Sequence, residues 1–246
     1  MIPLRDANPT RRLPIVTIAL IAASFAVWAY EVGLLATGAD ALDAFVTKWG
    51  VVPSEVSAAL GHRDFASTPI ATLFTSQFLH GGWLHILGNM LYLWIFGNNV
   101  EDEFGRLRFL AFYLAGGAIA ALTQVAITPA SDIPTIGASG AIAAILGAYV
   151  VLYPRARITS LVFLGFFYQL IDVPAVLVLI FWFVLQLIDG LASLGMTDVT
   201  GGVAVFAHIG GFVFGVLVAF LVRTFGRRRT GGGLAADRQW PPATVG

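Results

Sequence analysis

The sequence predicts an all-α membrane protein that crosses the bilayer six times, and three observations carry that prediction. Charged side chains make up 11% of the 246 residues, against about 25% in soluble domains. Hydrophobic residues make up 58%, more apolar surface than a soluble globule of this size can hide. Those residues gather in runs long enough for a helix, rising about 1.5 Å per residue, to cross about 30 Å of hydrocarbon. The 14 Lys and Arg balance 14 Asp and Glu, so there is neither a basic footprint for nucleic acid nor the high net charge of a disordered chain. Cysteine is absent, which removes disulfides, thiol nucleophiles and cysteine zinc sites.

In chain order the expected spans are Leu13–Leu35, Leu84–Asn99, Leu107–Ile127, Gly137–Tyr153, Val173–Leu194 and Val203–Thr224. The second and fourth are short, which implies helices that begin below the surface under a wet cavity. The apolar stretch Ile158–Ile171 is too short to span beside its neighbour and is expected at the interface. The first span is long and lacks a small-residue cleavage pattern, so no cleavable signal peptide is expected. Basic residues mark the retained face. Arg5, Arg11, Arg12, Arg106, Arg108, Arg155, Arg157, Arg223, Arg227, Arg228, Arg229 and Arg238 all fall on one side; only Lys48 and Arg63 fall on the other. The expectation is therefore a plasma-membrane protein with both termini cytoplasmic. It has a cytoplasmic segment 1–12, a six-span domain 13–224 with an external loop 36–83, and a disordered cytoplasmic tail 225–246. That tail carries Gly231, Gly232, Gly233, Pro241 and Pro242.

In this topology spans two, four and six all begin at the external face, and each carries a polar group near that end. Span two places His85 and Asn89 one helical turn apart on one face. Span four opens Gly137-Ala138-Ser139-Gly140, and span six carries Ala207-His208-Ile209-Gly210-Gly211 about five residues in. Singly, a membrane serine bonds its own helix or packs at a helix contact, and an asparagine joins helices. A histidine in a span faces the bundle interior or a wet cavity. At one depth, a serine, a histidine and an amide form a set suited to acyl transfer. A serine hydroxyl needs a base to take its proton, and histidine titrates near the working pH. Ser139 lies at a helix N-terminus, where free N–H groups favour developing negative charge, and His85 and Asn89 add donors. Small residues Gly140, Ala144 and Ala148 on span four, and Ala207, Gly211 and Gly215 on span six, form two rows that let the backbones approach.

Other polar groups read as structural. Asp132 and Asp198 fall in short loops; Asp189, near the outer end of span five, is the remaining candidate to orient His208, so the reaction is assigned to a Ser–His dyad. His80 reads as stabilising the loop before span two, with lining of the water cavity as its alternative. Glu101, a membrane thickness from Ser139, reads as a cap or loop tie. His62 reads as solvated and Gln186 as an interhelical contact. Trp28, Trp49, Trp83, Trp94 and Trp182 read as packing or interfacial anchors. The four histidines are not spaced as a ligand set, and no His-Glu-x-x-His occurs, so neither a metal nor another cofactor is expected.

These motifs resemble those of the rhomboid family of intramembrane serine proteases. The resemblance rests on Gly137-Ala138-Ser139-Gly140, on Ala207 to Gly211, and on Phe78-Leu79-His80-Gly81-Gly82-Trp83-Leu84-His85-Ile86-Leu87-Gly88-Asn89-Met90. It continues into Gly97 to Gly105 around Glu101. It covers about Thr47 to Thr224 and implies a six-helix bundle with Ser139 as nucleophile and His208 as general base. His85, Asn89 and the Ser139 backbone would hold the oxyanion, with Gly137, Gly140 and Gly211 supporting the site. The implied substrates are single-span membrane proteins cut in or near their transmembrane segment. The small residues around Ser139 predict a small side chain at the cut, and helix-weakening residues nearby. Two positions depart from the family: Ala71-Thr72 stands where some members have Trp-Arg. Ala143 stands where some have an aromatic residue stacked on the base histidine. An inactive rhomboid-like protein that binds or escorts membrane partners is the alternative of a different class. A small transporter is disfavoured because no internal repeat is found. The lipid bilayer is the other expected partner.

Overall fold

The computed structural model describes residues 1–164, 167–194 and 205–226. It begins with strand β1 (Ile2–Asp6), followed by helices α1 (Ile15–Thr37), α2 (Ala39–Trp49), α3 (Pro53–His62) and α4 (Thr68–Thr75). After a 3₁₀ turn at Ser76–Phe78 come α5 (Trp83–Tyr92), a π-helical turn (Leu93–Gly97), α6 (Asn98–Phe104), α7 (Arg106–Ile127) and α8 (Ser139–Leu152). Strands β2 (Arg157–Leu164) and β3 (Phe167–Pro174) precede α9 (Ala175–Leu194) and α10 (Val205–Gly226).

The chain is mostly helical. Among the described residues α1, α7 and α10 are long and apolar enough to cross a membrane. α8 is a shorter apolar helix, as is the described run Ala175–Leu185 of α9. With 14 residues α8 reaches about 21 Å, less than the hydrocarbon thickness. It is also the centre of the bundle: Gly140 through Tyr149 are all buried. Helices α7 and α10 pack against it. A helix enclosed on every side needs no polar face.

The inward stripe of α1 is more polar than its outward face. Thr17, Leu20, Ser24, Trp28 and Glu31 recur at helical spacing and are buried, while Ile15, Ile18 and Leu35 are exposed. In lipid the apolar face turns outward, and the polar groups find partners inside. The buried Glu101 carboxylate accepts from the backbone N–H of Val16 and Thr17 (3.0 and 2.8 Å) and from the Thr17 hydroxyl (2.8 Å). It thereby caps the start of α1, where amides lack intrahelical partners.

The stretch from 36 to 83 is mostly helical rather than an open loop. α3 and α4, with Val51 just before α3, pack on α7 in a cluster of Val51, Val56, Leu73, Ala118, Ala121 and Val125. A three-stranded antiparallel sheet, ordered β1-β2-β3, qualifies the all-α expectation. β1 pairs with β2 from Ile2↔Leu161 to Asp6↔Ile158, and β2 pairs with β3 from Arg157↔Pro174 to Leu164↔Phe167. Sequence reading missed it because Ile158–Ile171 shows too little polar alternation to mark strands. The sheet joins the bundle through Asp6, which accepts from the Tyr149 hydroxyl and from Asn99 Nδ2, both at 2.6 Å. Arg223 near the end of α10 donates to the carbonyl of Val151 at the end of α8 (2.9 Å), so the sheet and the end of α10 share one side.

Candidate active site

Ser139 is the first residue of α8, and the segment leading to it is held from several directions. Thr135 bridges to Val51, and the Gly137 N–H donates to the Ser76 carbonyl at 2.9 Å. Gly137 has φ +122°, a conformation open to glycine, which turns the chain into the helix. Ser139 is half-buried, and His208, in the first turn of α10, is buried. The His208 Nε2 lies 2.7 Å from Ser139 Oγ. Glycines permit that approach: a Cβ on Gly211 would overlap the Gly140 carbonyl, and one on Gly215 the Ala144 carbonyl. The two expected small-residue rows therefore meet at these positions.

His208 packs against Trp182 of α9, with ring centroids 5.4 Å apart. A residue distant in sequence thus supplies the aromatic neighbour that Ala143 does not. Sequence reading gave Trp182 only a packing role, since nothing local ties it to His208. The His208 Nδ1 is buried and has no hydrogen-bond partner among the described residues. The side chains of Asp189 and Gln186, and all of Asp198, lie outside the described residues.

His85 and Asn89 converge on the other side of Gly137. The Gly81 N–H donates to His85 Nδ1 at 3.3 Å, which places the ring proton on Nε2. A Cβ built on Gly137 would lie 2.7 Å from that Nε2 and 3.7 Å from Asn89 Nδ2. The Asn89 Nδ2 is buried and has no hydrogen-bond partner among the described residues. Two donors thus face the turn before Ser139, and a carbonyl oxygen seated there would meet both, together with the first amides of α8.

His80 is buried, with Nδ1 3.1 Å from the Phe78 carbonyl, and its ring lies 5.1 Å from that of His85. Burial, with a smaller contribution from His85, pushes the His80 pKa down to about 3. The backbone N–H of His80 donates to the carboxylate of Glu31 on α1, at 3.2 and 3.3 Å to its two oxygens. Sequence reading passed over Glu31, although a lone carboxylate within an apolar span was the available signal. Two other acids stand apart from the site. Asp132 accepts from the Ser54 hydroxyl at 2.6 Å, and Glu101 caps α1 at the opposite end. His62 is exposed at the end of α3.

A family model described as the Rhomboid domain matches residues 68–225. The mitochondrial RHOMBOID-like protein 12 of Arabidopsis thaliana is 34% identical over 164 residues, covering 60% of this chain and 45% of the relative. The mitochondrial presenilin-associated rhomboid-like protein A of Danio rerio is 32% identical over 103 residues, 39% of this chain and 27% of the relative. Its Bos taurus counterpart is 31% identical over 138 residues, 53% and 36% respectively. The chain thus spans less than half the length of these relatives. Their names overturn one expectation of the sequence, the plasma-membrane location, because these are mitochondrial proteins. The physical reason is that arginine asymmetry separates the two faces of a bilayer without saying which bilayer it is. With the matched domain running from the start of α4 almost to the end of α10, the chain belongs to the rhomboid family.

Proposed function

We propose that the chain is an intramembrane serine endopeptidase acting on single-span membrane proteins. The observation that carries this reading is the 2.7 Å contact between Ser139 Oγ and His208 Nε2 at the start of a helix. In the reaction, Ser139 Oγ attacks the peptide carbonyl carbon while its proton passes to His208 Nε2. The carbonyl oxygen becomes an oxyanion, held by His85 Nε2–H, Asn89 Nδ2 and the Ser139 backbone N–H. Removing one such donor costs about 2.7–4 kcal/mol of barrier. Collapse breaks the C–N bond, and His208 returns the proton to the leaving amine. Water, losing a proton to His208 Nε2, then attacks the acyl carbon; the bond to Ser139 Oγ breaks, and His208 returns the proton to that oxygen.

This reading takes α1, the α5–α6 unit, α7, α8, α9 and α10 as six spans within a domain of residues 13–224, flanked by segments 1–12 and 225–246. The short α8 leaves Ser139 below the membrane surface, where water enters from the side opposite the arginines. A substrate helix has to unwind locally, since its carbonyls are otherwise hydrogen-bonded, which favours helix-weakening residues and a small side chain at the cut. The compartment suggested by the relatives' names is a mitochondrial membrane.

The test uses purified protein in detergent with a single-span reporter and a fluorophosphonate probe. Native protein is expected to cleave the reporter and take the label, and Ser139→Ala to do neither. Full cleavage by Ser139→Ala overturns the assignment of the nucleophile. A native chain that captures the reporter without cleaving it or taking the label is instead the escort protein.

A further inference from the structure

The β2–β3 hairpin exposes apolar side chains where a water-facing sheet alternates them with polar ones. Phe163, Phe167, Tyr168 and Leu170 are 56%, 77%, 71% and 62% exposed, and Ile171 beside them is exposed as well. The pairing Phe163↔Tyr168 and Leu161↔Leu170 puts several of these on one face, whereas Ile158 and Ser160, on the other, are buried at the base. The described residues leave this surface uncovered.

We infer that the hairpin is a membrane anchor, seated in the headgroup–acyl boundary of the leaflet on the arginine-rich side, where it holds the start of α9 at a fixed depth. Three observations select a lipid surface as the occupant. The first is continuity: β3 runs into α9 at Pro174–Ala175, and the exposed apolar surface continues through Val176, Leu177 and Ile180, on the described apolar run of α9 that the proposed function takes as a span. Charge is the second. Arg155 and Arg157 at the hairpin base and Arg223 at the end of α10 are exposed on the same side, matching anionic headgroups. Third, among the described residues β3 has a neighbouring strand on one side only. Its outer N–H and C=O groups would be left unpaired in hydrocarbon, but headgroups and water satisfy them at the boundary. Tyr and Phe rings suit that depth. The inference does not depend on protease activity.

The absence of cysteine makes the test direct. Tyr168→Cys and Leu170→Cys, each carrying a nitroxide, are placed in vesicles of phosphatidylcholine and phosphatidylglycerol, with Asp64→Cys in an exposed turn as the aqueous reference. Both hairpin labels are expected to be more accessible to oxygen than to a water-soluble nickel chelate, at headgroup depth. Chelate access equal to that at position 64 overturns the proposal. So does spin–spin broadening that disappears on dilution with unlabelled protein, which would make a second copy the occupant. For the anchoring role, Phe167→Ser, Tyr168→Ser and Leu170→Ser are combined with a label at Leu177→Cys. The label is expected to change depth, and an unchanged depth overturns that role. All these positions are exposed, and detergent melting curves matching the parent verify that each variant folds.

Discussion

At Gly137 two constraints fall on one residue: its φ of +122° and a Cβ position only 2.7 Å from His85 Nε2. Gly137→Ala is expected to push His85 aside and lower kcat/KM on a reporter about 10²-fold, the order associated with misplacing a reacting group by about 1 Å. A variant retaining native kinetics would show that the turn tolerates a side chain. Trp182 raises a separate question, because its ring packs on His208 and on Tyr92 but on neither Ser139 nor the oxyanion donors. Trp182→Ala should lower kcat about tenfold, equivalent to ~1.4 kcal/mol, with KM nearly unchanged, whereas Trp182→Phe keeps most of the rate. An equal loss in both variants would point to indole-specific packing rather than ring orientation. Ser139, His208, His85 and Asn89 were legible as candidates because polar groups in apolar spans stand out. Trp182 was not, since an aromatic residue in a membrane helix has many roles and its partner lies far along the chain.

Two contacts between elements set the geometry of the helices. Gly215 of α10 lies against the Ala144 carbonyl of α8, with no room for a Cβ. Gly215→Val is expected to separate the helices and lower stability by about 1–3 kcal/mol, seen as a lower melting temperature in detergent. Fluorophosphonate labelling should fall with it, as Ser139 and His208 move apart. The second contact is the Glu101 cap on α1, in which one carboxylate accepts three hydrogen bonds. Glu101→Gln removes the charge and one acceptor and is expected to cost about 2 kcal/mol in thermal unfolding. The glycine rows and the capping role of Glu101 could be read from spacing and position. The π-helical turn and the β1–β2–β3 sheet could not, because neither leaves a distinct hydrophobic period.

At the scale of the whole molecule, His80 makes one contribution of definite sign to the pH dependence of stability. Its folded pKa of about 3 lies below the ordinary 6.5, so the fold favours the neutral ring. As pH falls from about 6.5 towards 3, the unfolded chain binds a proton that the folded chain does not, and stability is lost across that window. Above it the contribution is fully present. His80→Gln should flatten this part of the curve, measured as melting temperature against pH in detergent. Equal slopes for the two proteins would show that His80 is not the group responsible. The same loop is tied by the Glu31 carboxylate, which links α1 to the segment leading into the helix that carries His85 and Asn89.

By itself the sequence determined the membrane class, the separation of a basic face from its opposite, and the small set of polar groups available for chemistry. Those properties are local: composition, run length and helical spacing state them without reference to the rest of the chain. Tertiary structure decided that His208 Nε2 lies 2.7 Å from Ser139 Oγ. It also placed Trp182 on His208, set Glu31 beneath His80, and folded the apolar stretch after α8 into an exposed hairpin. Each of these depends on residues from separate elements meeting in space, and their order along the chain does not fix the distance between them.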